Sequence, residues 1–93
     1  MLTIEYHGQF KRDYKLAVKR GCNISELEKV IGMLAAEQTL PEKYRDHALT
    51  DSKEYKGTRE CHIKPDWLLI YSIISDRLIL RLIRTGSHSD LFG

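Results

Sequence analysis

The spacing of apolar residues changes along the chain from alternating to helical and back again. Residues 2–6, LTIEY, alternate between apolar and polar side chains, which predicts a short strand. Residues 8–20 carry apolar side chains at intervals of three and four, and Gly21 is placed to end that helix. A second helical stripe begins after Asn23, which we expect to cap the helix in a capping box with Glu26. One strand and two helices are therefore predicted for the first part of the chain.

Beyond Pro41 the chain changes to the two-residue period of strands. We expect strands near 45–49 and over 56–63, 66–74 and 77–85. Residues 66–74, DWLLIYSII, are apolar almost throughout, which indicates a central strand buried on both faces. In the strand before it, Glu60 and His62 share one face. Helices followed by strands indicate an α+β fold, with two helices packed on a small, mostly antiparallel sheet, in one domain spanning residues 1–93.

The composition is that of a soluble globular protein, since 42% of the residues are hydrophobic and 30% are charged. No stretch approaches the roughly 20 apolar residues of a membrane span, and the N-terminus lacks the apolar region of a signal peptide. We therefore expect a cytoplasmic protein with no membrane partner. Cys22 and Cys61 cannot form the disulfide framework of a secreted domain, and neither lies in a CxxC pair, so we expect both to be reduced.

Charge is unevenly distributed, although the net charge is only +2. The first predicted helix carries five basic residues: Lys11, Arg12, Lys15, Lys19 and Arg20. The following segment, residues 23–42, holds one lysine against four glutamates. A segregated basic surface suits a polyanion or an acidic protein partner. A solvated helix face explains the same pattern, and the charges alone favour that simpler interpretation.

Four titratable residues fall at or near the ends of predicted strands: His47, His62, Asp66 and His88. Strand ends are exposed enough to meet a ligand and rigid enough to aim at it. Imidazole titrates near neutrality, so two histidines, or a histidine and a carboxylate, can divide the removal and the delivery of a proton. RNA transesterification needs both steps and no metal. It also needs cations for the charged phosphorane, and Arg59 and Arg84 are candidates for that role.

Each of these residues also has a structural explanation. Asp66 follows Pro65 and can be only a turn residue, while Trp67 opens an apolar run and favours the core over base stacking by roughly two to one. Phe92 lies on the C-terminal tail, where stacking on a nucleobase is one use for the ring. The histidines and Asp66 match no standard zinc-ligand spacing, so we rank a metal site below catalysis. These features alone indicate a small α+β domain for which ribonuclease activity is one candidate.

The second part of the chain carries a specific combination of motifs. YRDHALTDSKEYKGTRECHIKPDWLLIY, residues 44–71, and RLIRTGSHSDLFG, residues 81–93, closely resemble the YafQ-type toxins. Those toxins are ribosome-dependent mRNA interferases of the RelE/ParE superfamily and belong to type II toxin–antitoxin systems. The N-terminal IEYHGQFKRDYKLAVKRG, residues 4–21, is similar to that family's opening strand and basic helix. The resemblance therefore covers nearly the whole chain.

The resemblance implies an enzyme that cuts mRNA in the ribosomal A site without a cofactor or a metal. Four residues match the family's catalytic set: His47, His62, Asp66 and His88. We expect His88 to be the general acid and His47 or Asp66 to be the general base. His62 is expected to be an orienting or electrostatic partner.

Further residues are expected to contact RNA. Phe92 matches the C-terminal aromatic that helps to hold the mRNA, and Arg84 aligns with a superfamily arginine suited to the phosphate. Arg59 and Trp67 are additional candidates for substrate binding. The five basic residues of the first helix correspond to surfaces that contact 16S ribosomal RNA in the 70S ribosome.

The resemblance also implies a protein partner. This is a cognate, DinJ-like antitoxin with a ribbon-helix-helix DNA-binding part, and the complex binds operator DNA only through the antitoxin. Two alternatives share the fold: a ParE-like gyrase inhibitor without catalysis, and an inactive module that only binds the antitoxin. Neither needs the four catalytic candidates together with a C-terminal aromatic, so the residues favour the enzyme.

Overall fold

The computed structural model describes residues 1–50 and 52–93. This part of the chain forms β1 (Thr3–Tyr6), α1 (Gly8–Lys19), α2 (Ile24–Ala35), β2 (His47–Leu49), β3 (Thr58–Lys64), β4 (Trp67–Ile74), β5 (Ile79–Gly86) and α3 (His88–Phe92). Short 3-10 turns at Glu42–Tyr44 and Ser75–Arg77 precede β2 and β5. Within residues 1–50 and 52–93, no helix has the length and apolarity to cross a membrane.

The strands form one sheet in the order β1-β5-β4-β3-β2. β1 runs parallel to β5, and the other three neighbouring pairs are antiparallel. The predicted α+β architecture with a mostly antiparallel sheet is therefore confirmed. β4 is the central strand, and Leu68, Leu69 and Ile70 have no exposed surface. Adjacent side chains of a strand point to opposite faces, so β4 is buried on both, as its apolar run predicted.

The sheet buries a different apolar cluster on each face. α1 and α2 cover the first face, where Phe10, Leu27 and Val30 belong to the larger cluster. The second face carries a smaller cluster of Tyr55, Leu68, Ile70 and Leu91. Because Leu91 lies in α3, its burial anchors that short helix to the second face. Much of the second face remains available for a site.

The helix boundaries largely follow the sequence pattern. α1 ends at Lys19, and Gly21 adopts a left-handed φ of +77°, which a glycine adopts without strain. The predicted capping box between Asn23 and Glu26 is wrong, because the Asn23 side chain accepts no hydrogen bond from a backbone N–H of α2. Its Oδ1 instead accepts a hydrogen bond from the Ser25 hydroxyl at 2.5 Å, which competes for the capping oxygen.

The third helix was not predicted, since five residues are too few to show a helical period. It begins with a capping box in which Asp90 N donates to Ser87 Oγ at 3.1 Å and Ser87 N donates to Asp90 Oδ2 at 2.9 Å. A Cβ at Gly86 would lie 2.9 Å from Asp90 Oδ2, so this close approach requires glycine. His88 is the first residue of the helix.

Candidate active site

Three histidine rings form a row on the second face of the sheet. The antiparallel pairing of β2 with β3 places His47 opposite Glu60, which shares a face of β3 with His62 two residues further on. The ring centroids of His47 and His62 are 6.2 Å apart, and those of His62 and His88 are 5.7 Å apart. Residues far apart in the sequence are thus brought within one small area by β2, β3 and α3.

Glu60 lies between two of the rings. Its Oε1 is 3.5 Å from His47 Nε2 and 3.2 Å from His62 Nε2, and the residue is only 5% exposed. A buried carboxylate is costly unless it is paired and hydrogen-bonded, which makes such a residue a candidate for chemistry. The alternating strand pattern places Glu60 on the face of His62 but indicates no role for it. Its burial, which the strand pattern alone does not reveal, is the signal that was missing.

Backbone carbonyls orient both rings that face Glu60. His47 Nδ1 lies 2.7 Å from the carbonyl oxygen of Arg45, and His62 Nδ1 lies 3.3 Å from that of Pro65. Arg45 has a left-handed φ of 47°, an unfavourable backbone conformation for this residue type. With Nδ1 donating to a carbonyl, each ring turns Nε2 towards the carboxylate. Nε2 of both rings therefore lies close to the same carboxylate oxygen, Oε1 of Glu60.

Asp66 holds the third ring. Its Oδ1 accepts from the backbone N–H of His88 at 2.9 Å and lies 2.6 Å from His88 Nδ1. These contacts lower the pKa of Asp66, the backbone hydrogen bond contributing most and the ring next. An ionised Asp66 favours a hydrogen on Nδ1 of His88. Nε2 is then the ring nitrogen that can exchange a proton with a ligand. Both side chains are more than half exposed.

Phe92 lies at the edge of the same area. Its ring packs edge-on against Tyr55, with centroids 5.5 Å apart, and remains 45% exposed. Phe92 and His47 line a surface hollow of about 370 Å³ between α3 and β2. An exposed aromatic face beside a titratable ring is suited to a nucleobase.

Both candidate arginines are paired with carboxylates. Arg84 donates to both oxygens of Asp13 at 2.9 Å, and Asp13 is 7% exposed. This contact raises the pKa of Arg84 further above its usual value. Arg59 Nη2 donates to Asp46 Oδ2 at 3.1 Å, and Tyr71 donates to the other oxygen of Asp46. Neither guanidinium points unpaired at the histidine row, so their predicted phosphate contacts are not supported by this geometry.

Trp67 lies in the core rather than at the surface. Its side chain belongs to the apolar cluster beneath α1 and α2, the residue is 8% exposed, and Nε1 donates to Thr85 Oγ1 at 2.9 Å. The indole therefore has both its apolar body and its polar atom satisfied inside the protein. The structure does not place Trp67 where a base could stack, and a core position explains this residue better than substrate binding.

The basic residues of α1, together with Arg20 at its C-terminal end, fall into two groups. Lys11, Lys15 and Lys19 are exposed, and no ion pair or side-chain hydrogen bond joins them to other described residues. Arg12 donates to Gln9 within the helix, and Arg20 donates to Asp90 of α3 at 2.6 and 3.3 Å. The lysines are thus available to a polyanion, whereas Arg20 already has a partner.

Neither a thiol site nor a metal site accompanies the histidines in residues 1–50 and 52–93. Cys22 and Cys61 are not bonded to each other, and burial raises the pKa of Cys61 to about 12, which keeps this thiol protonated and unreactive. Among the described side chains, no group of three or more His, Cys, Asp or Glu is placed to hold a metal ion. Nδ1 of His47 and of His62 contacts a backbone carbonyl, and Nε2 of each ring faces Glu60 Oε1 at 3.5 and 3.2 Å.

Comparisons with known proteins agree on one family. The model of a family described as a bacterial toxin of type II toxin–antitoxin system, YafQ, matches residues 2–93. The mRNA interferase toxin YafQ of Escherichia coli (strain B / BL21-DE3) is 46% identical over 91 residues, which cover 97% of this chain and 95% of that protein.

Solved structures show the same similarity. The YafQ chain in a crystal structure of the E. coli DinJ–YafQ complex is 42% identical, with a TM-score of 0.89 and full coverage of both chains. A metal-bound toxin from Helicobacter pylori is 50% identical, with a TM-score of 0.90, and the match covers 99% of this chain and 100% of that one.

Proposed function

Because this chain belongs to the YafQ family of bacterial toxins of type II toxin–antitoxin systems, we propose that it is an endoribonuclease that stops translation by cutting mRNA. The observation that carries the proposal is the row of three imidazoles with Glu60 between two of them and Asp66 behind the third. A gyrase inhibitor has no use for such a set of proton donors and acceptors. Neither has a module that only binds an antitoxin.

The proposed reaction is a transesterification within the RNA strand. A base removes the proton of a ribose 2′-hydroxyl, the 2′-oxygen attacks the adjacent phosphorus, and the bond from phosphorus to the 5′-oxygen breaks. An acid protonates the departing 5′-oxygen, which leaves one fragment with a 2′,3′-cyclic phosphate and the other with a 5′-hydroxyl. One proton is removed and one is delivered, so a base and an acid on opposite sides of the phosphate are sufficient.

We assign these roles to side chains from the contacts that each one makes. His88 is the acid in its imidazolium form: the Asp66 carboxylate holds Nδ1–H and stabilises the positive charge, and Nε2–H protonates the departing 5′-oxygen. Asp66 already accepts hydrogen bonds from His88 and orients its ring. We therefore assign the base to His47 and Glu60 together rather than to Asp66. His62, whose Nε2 lies 3.2 Å from Glu60 Oε1, supplies positive charge for the phosphorane. Phe92 stacks on a base of the bound strand.

The same site supports dependence on the ribosome. His88 and Asp66 are exposed and the hollow beside Phe92 is shallow, so this chain alone gives little support to a flexible strand. We propose that the 70S ribosome presents the mRNA in its A site and that Lys11, Lys15 and Lys19 of α1 contact 16S ribosomal RNA. The site of action is then the cytoplasm.

An antitoxin is the proposed regulatory partner. A YafQ relative of this fold forms a complex with DinJ. We propose that this chain binds a DinJ-like antitoxin in the same way, and that the complex reaches operator DNA through a ribbon-helix-helix part of that antitoxin.

The proposal is tested with purified 70S ribosomes carrying mRNAs with defined A-site codons. Wild-type protein is compared with His88→Gln, and mRNA without ribosomes is the control. Cuts within the A-site codon that require both the ribosome and His88 are expected. If the folded wild-type protein leaves every A-site codon intact, the enzyme proposal is wrong and gyrase inhibition becomes the next activity to assay.

A further inference from the structure

The residue that follows α1 is bonded to the helix that carries His88. Arg20 donates two hydrogen bonds to the carboxylate of Asp90, from Nη1 to Oδ2 at 2.6 Å and from Nη2 to Oδ1 at 3.3 Å. Such a bidentate pair between a planar guanidinium and a carboxylate fixes orientation as well as distance. The two residues are 70 positions apart in the sequence, so the pair ties the helical layer to α3.

Asp90 also completes the start of α3. The oxygen that accepts from Arg20 at 2.6 Å accepts from Ser87 N at 2.9 Å. Arg20 and Ser87 together hold the pKa of Asp90 well below its usual value, so the carboxylate stays charged at neutral pH. His88 follows Ser87 directly and lies inside the turn that these contacts fix.

The remaining contacts of α3 hold its other end. Leu91 is buried, and its carbonyl accepts from the Tyr55 hydroxyl at 3.2 Å. A helix of five residues is not stable on its own, so contacts with the rest of the protein must hold each of its two ends in place. At the first turn the anchors are Asp66, which is itself exposed, and Arg20 through Asp90.

We propose that Arg20 is a positioning residue for RNA cleavage and not a contact to ribosomal RNA. Through Asp90 it fixes the first turn of α3, which keeps the His88 ring 5.7 Å from the His62 ring and in contact with Asp66. This role rests on the proposed function, since His88 is the acid of that reaction. An exposed ion pair adds little to the stability of a fold, whereas a displacement of about 1 Å in a catalytic group can cost about 100-fold in rate.

The kinetic test separates the chemical step from ribosome binding. Single-turnover cleavage of A-site mRNA is measured over a range of ribosome concentrations for wild type, Arg20→Gln, Asp90→Asn and Arg20→Lys. Arg20→Gln is expected to lower the maximal rate by about tenfold or more with little change in the half-saturating concentration. Asp90→Asn should follow it, and Arg20→Lys should recover part of the rate because one charged donor remains. Lys19→Gln is the contrast, since loss of a phosphate contact raises the half-saturating concentration instead.

A second readout does not depend on the activity. In nuclear magnetic resonance spectra of the isolated protein, the backbone amide and ring signals of His88 should shift in Arg20→Gln, while amides of β4 stay in place. Arg20→Gln with a wild-type maximal rate and unmoved His88 signals would overturn the proposal. If the wild-type protein cleaves no mRNA and the His88 signals nevertheless shift in Arg20→Gln, the enzymatic proposal has failed and the positioning contact stands.

Discussion

The carboxylate of Asp66 accepts hydrogen bonds from both the backbone N–H and the ring Nδ1 of His88, at 2.9 and 2.6 Å. One oxygen thus fixes where α3 begins and how the imidazole is turned. Asp66 lies in the turn between β3 and β4, so the sheet itself sets the position of the ring. This contact is the reason for assigning the acid to His88 and an orienting role to Asp66.

Two substitutions of Asp66 should separate the contribution of its hydrogen bonds from that of its negative charge. Asp66→Asn keeps an oxygen for the backbone N–H and the ring but removes the negative charge, while Asp66→Ala removes both. We expect Asp66→Ala to slow cleavage by about 100-fold and Asp66→Asn to slow it by less. Single-turnover rates at saturating ribosome measure the effect, and a wild-type rate for Asp66→Ala in a folded protein would remove Asp66 from the site.

Glu60→Gln tests the residue that the strand pattern did not single out. Glutamine keeps the size of the side chain but cannot take a proton, so we expect the maximal cleavage rate to fall by about 100-fold or more. Glu54→Gln, a charge removal on an exposed residue before β3, is the matched control. Thermal unfolding checks the fold of both variants. Equal rates for Glu60→Gln and wild type would show that Glu60 is not part of the base with His47.

Removal of Arg84 should affect stability more than RNA binding. Arg84 and Asp13 form a mostly buried pair, and Asp13 also accepts from Thr85 N at 3.1 Å. Breaking such a pair leaves a buried charge without a partner, which costs about 3–5 kcal/mol in the free energy of unfolding. Urea denaturation of Arg84→Ala measures this, with the exposed Lys15→Ala as the comparison. An Arg84→Ala protein of wild-type stability with weakened affinity for mRNA would restore the phosphate contact expected from the sequence.

The three exposed lysines of α1 should act additively through phosphates. Replacing Lys11, Lys15 and Lys19 by glutamine one after another is expected to weaken ribosome binding in steps. Each step should also reduce the slope of log affinity against log salt by roughly 0.7 to 0.9, the value for one RNA phosphate that a lysine no longer neutralises. Binding to 70S ribosomes over a range of salt concentrations measures the slope. An unchanged slope in the triple variant would show that α1 does not face ribosomal RNA.

The Arg20–Asp90 pair also predicts a dependence of stability on pH. The pKa of Asp90 is lowered in the folded protein, chiefly by Arg20, so its contribution is fully present above the unfolded value of about 3.9. That contribution is lost as the pH falls from there towards the lower folded value. The difference in melting temperature between wild type and Asp90→Asn should therefore shrink below about pH 4. A difference that grows on acidification would contradict the assignment.

Local periodicity predicted the parts of the fold that repeat. α1 and α2, the buried central strand and the shared face of Glu60 and His62 all follow from spacing within a few residues. α3 was missed because five residues contain little more than one helical turn. The capping box of α2 was wrong because a neighbouring serine donates to the oxygen of Asn23.

Pairings between side chains could not be predicted where the partner is distant in sequence. Arg84 meets Asp13, 71 positions away, and Arg20 meets Asp90, 70 positions away. No local pattern reveals such pairs, so both arginines were expected to contact RNA. Glu60 became a site residue only once β2 had placed His47 opposite it. The places of the histidines at strand ends and the resemblance to the toxin family singled them out, but the folded chain was needed to show which carboxylate lies beside which ring.

RNA cleavage by transesterification requires the ribose 2′-hydroxyl next to the broken bond. The most direct test uses an mRNA whose cut site in the A-site codon has first been mapped. A single 2′-deoxynucleotide is then placed on the 5′ side of that bond, and the control mRNA carries the same substitution one codon upstream. We predict that wild-type protein on 70S ribosomes cuts the control and leaves the substituted bond intact. Cleavage of the substituted bond at the control rate would contradict the mechanism assigned to His47, Glu60 and His88.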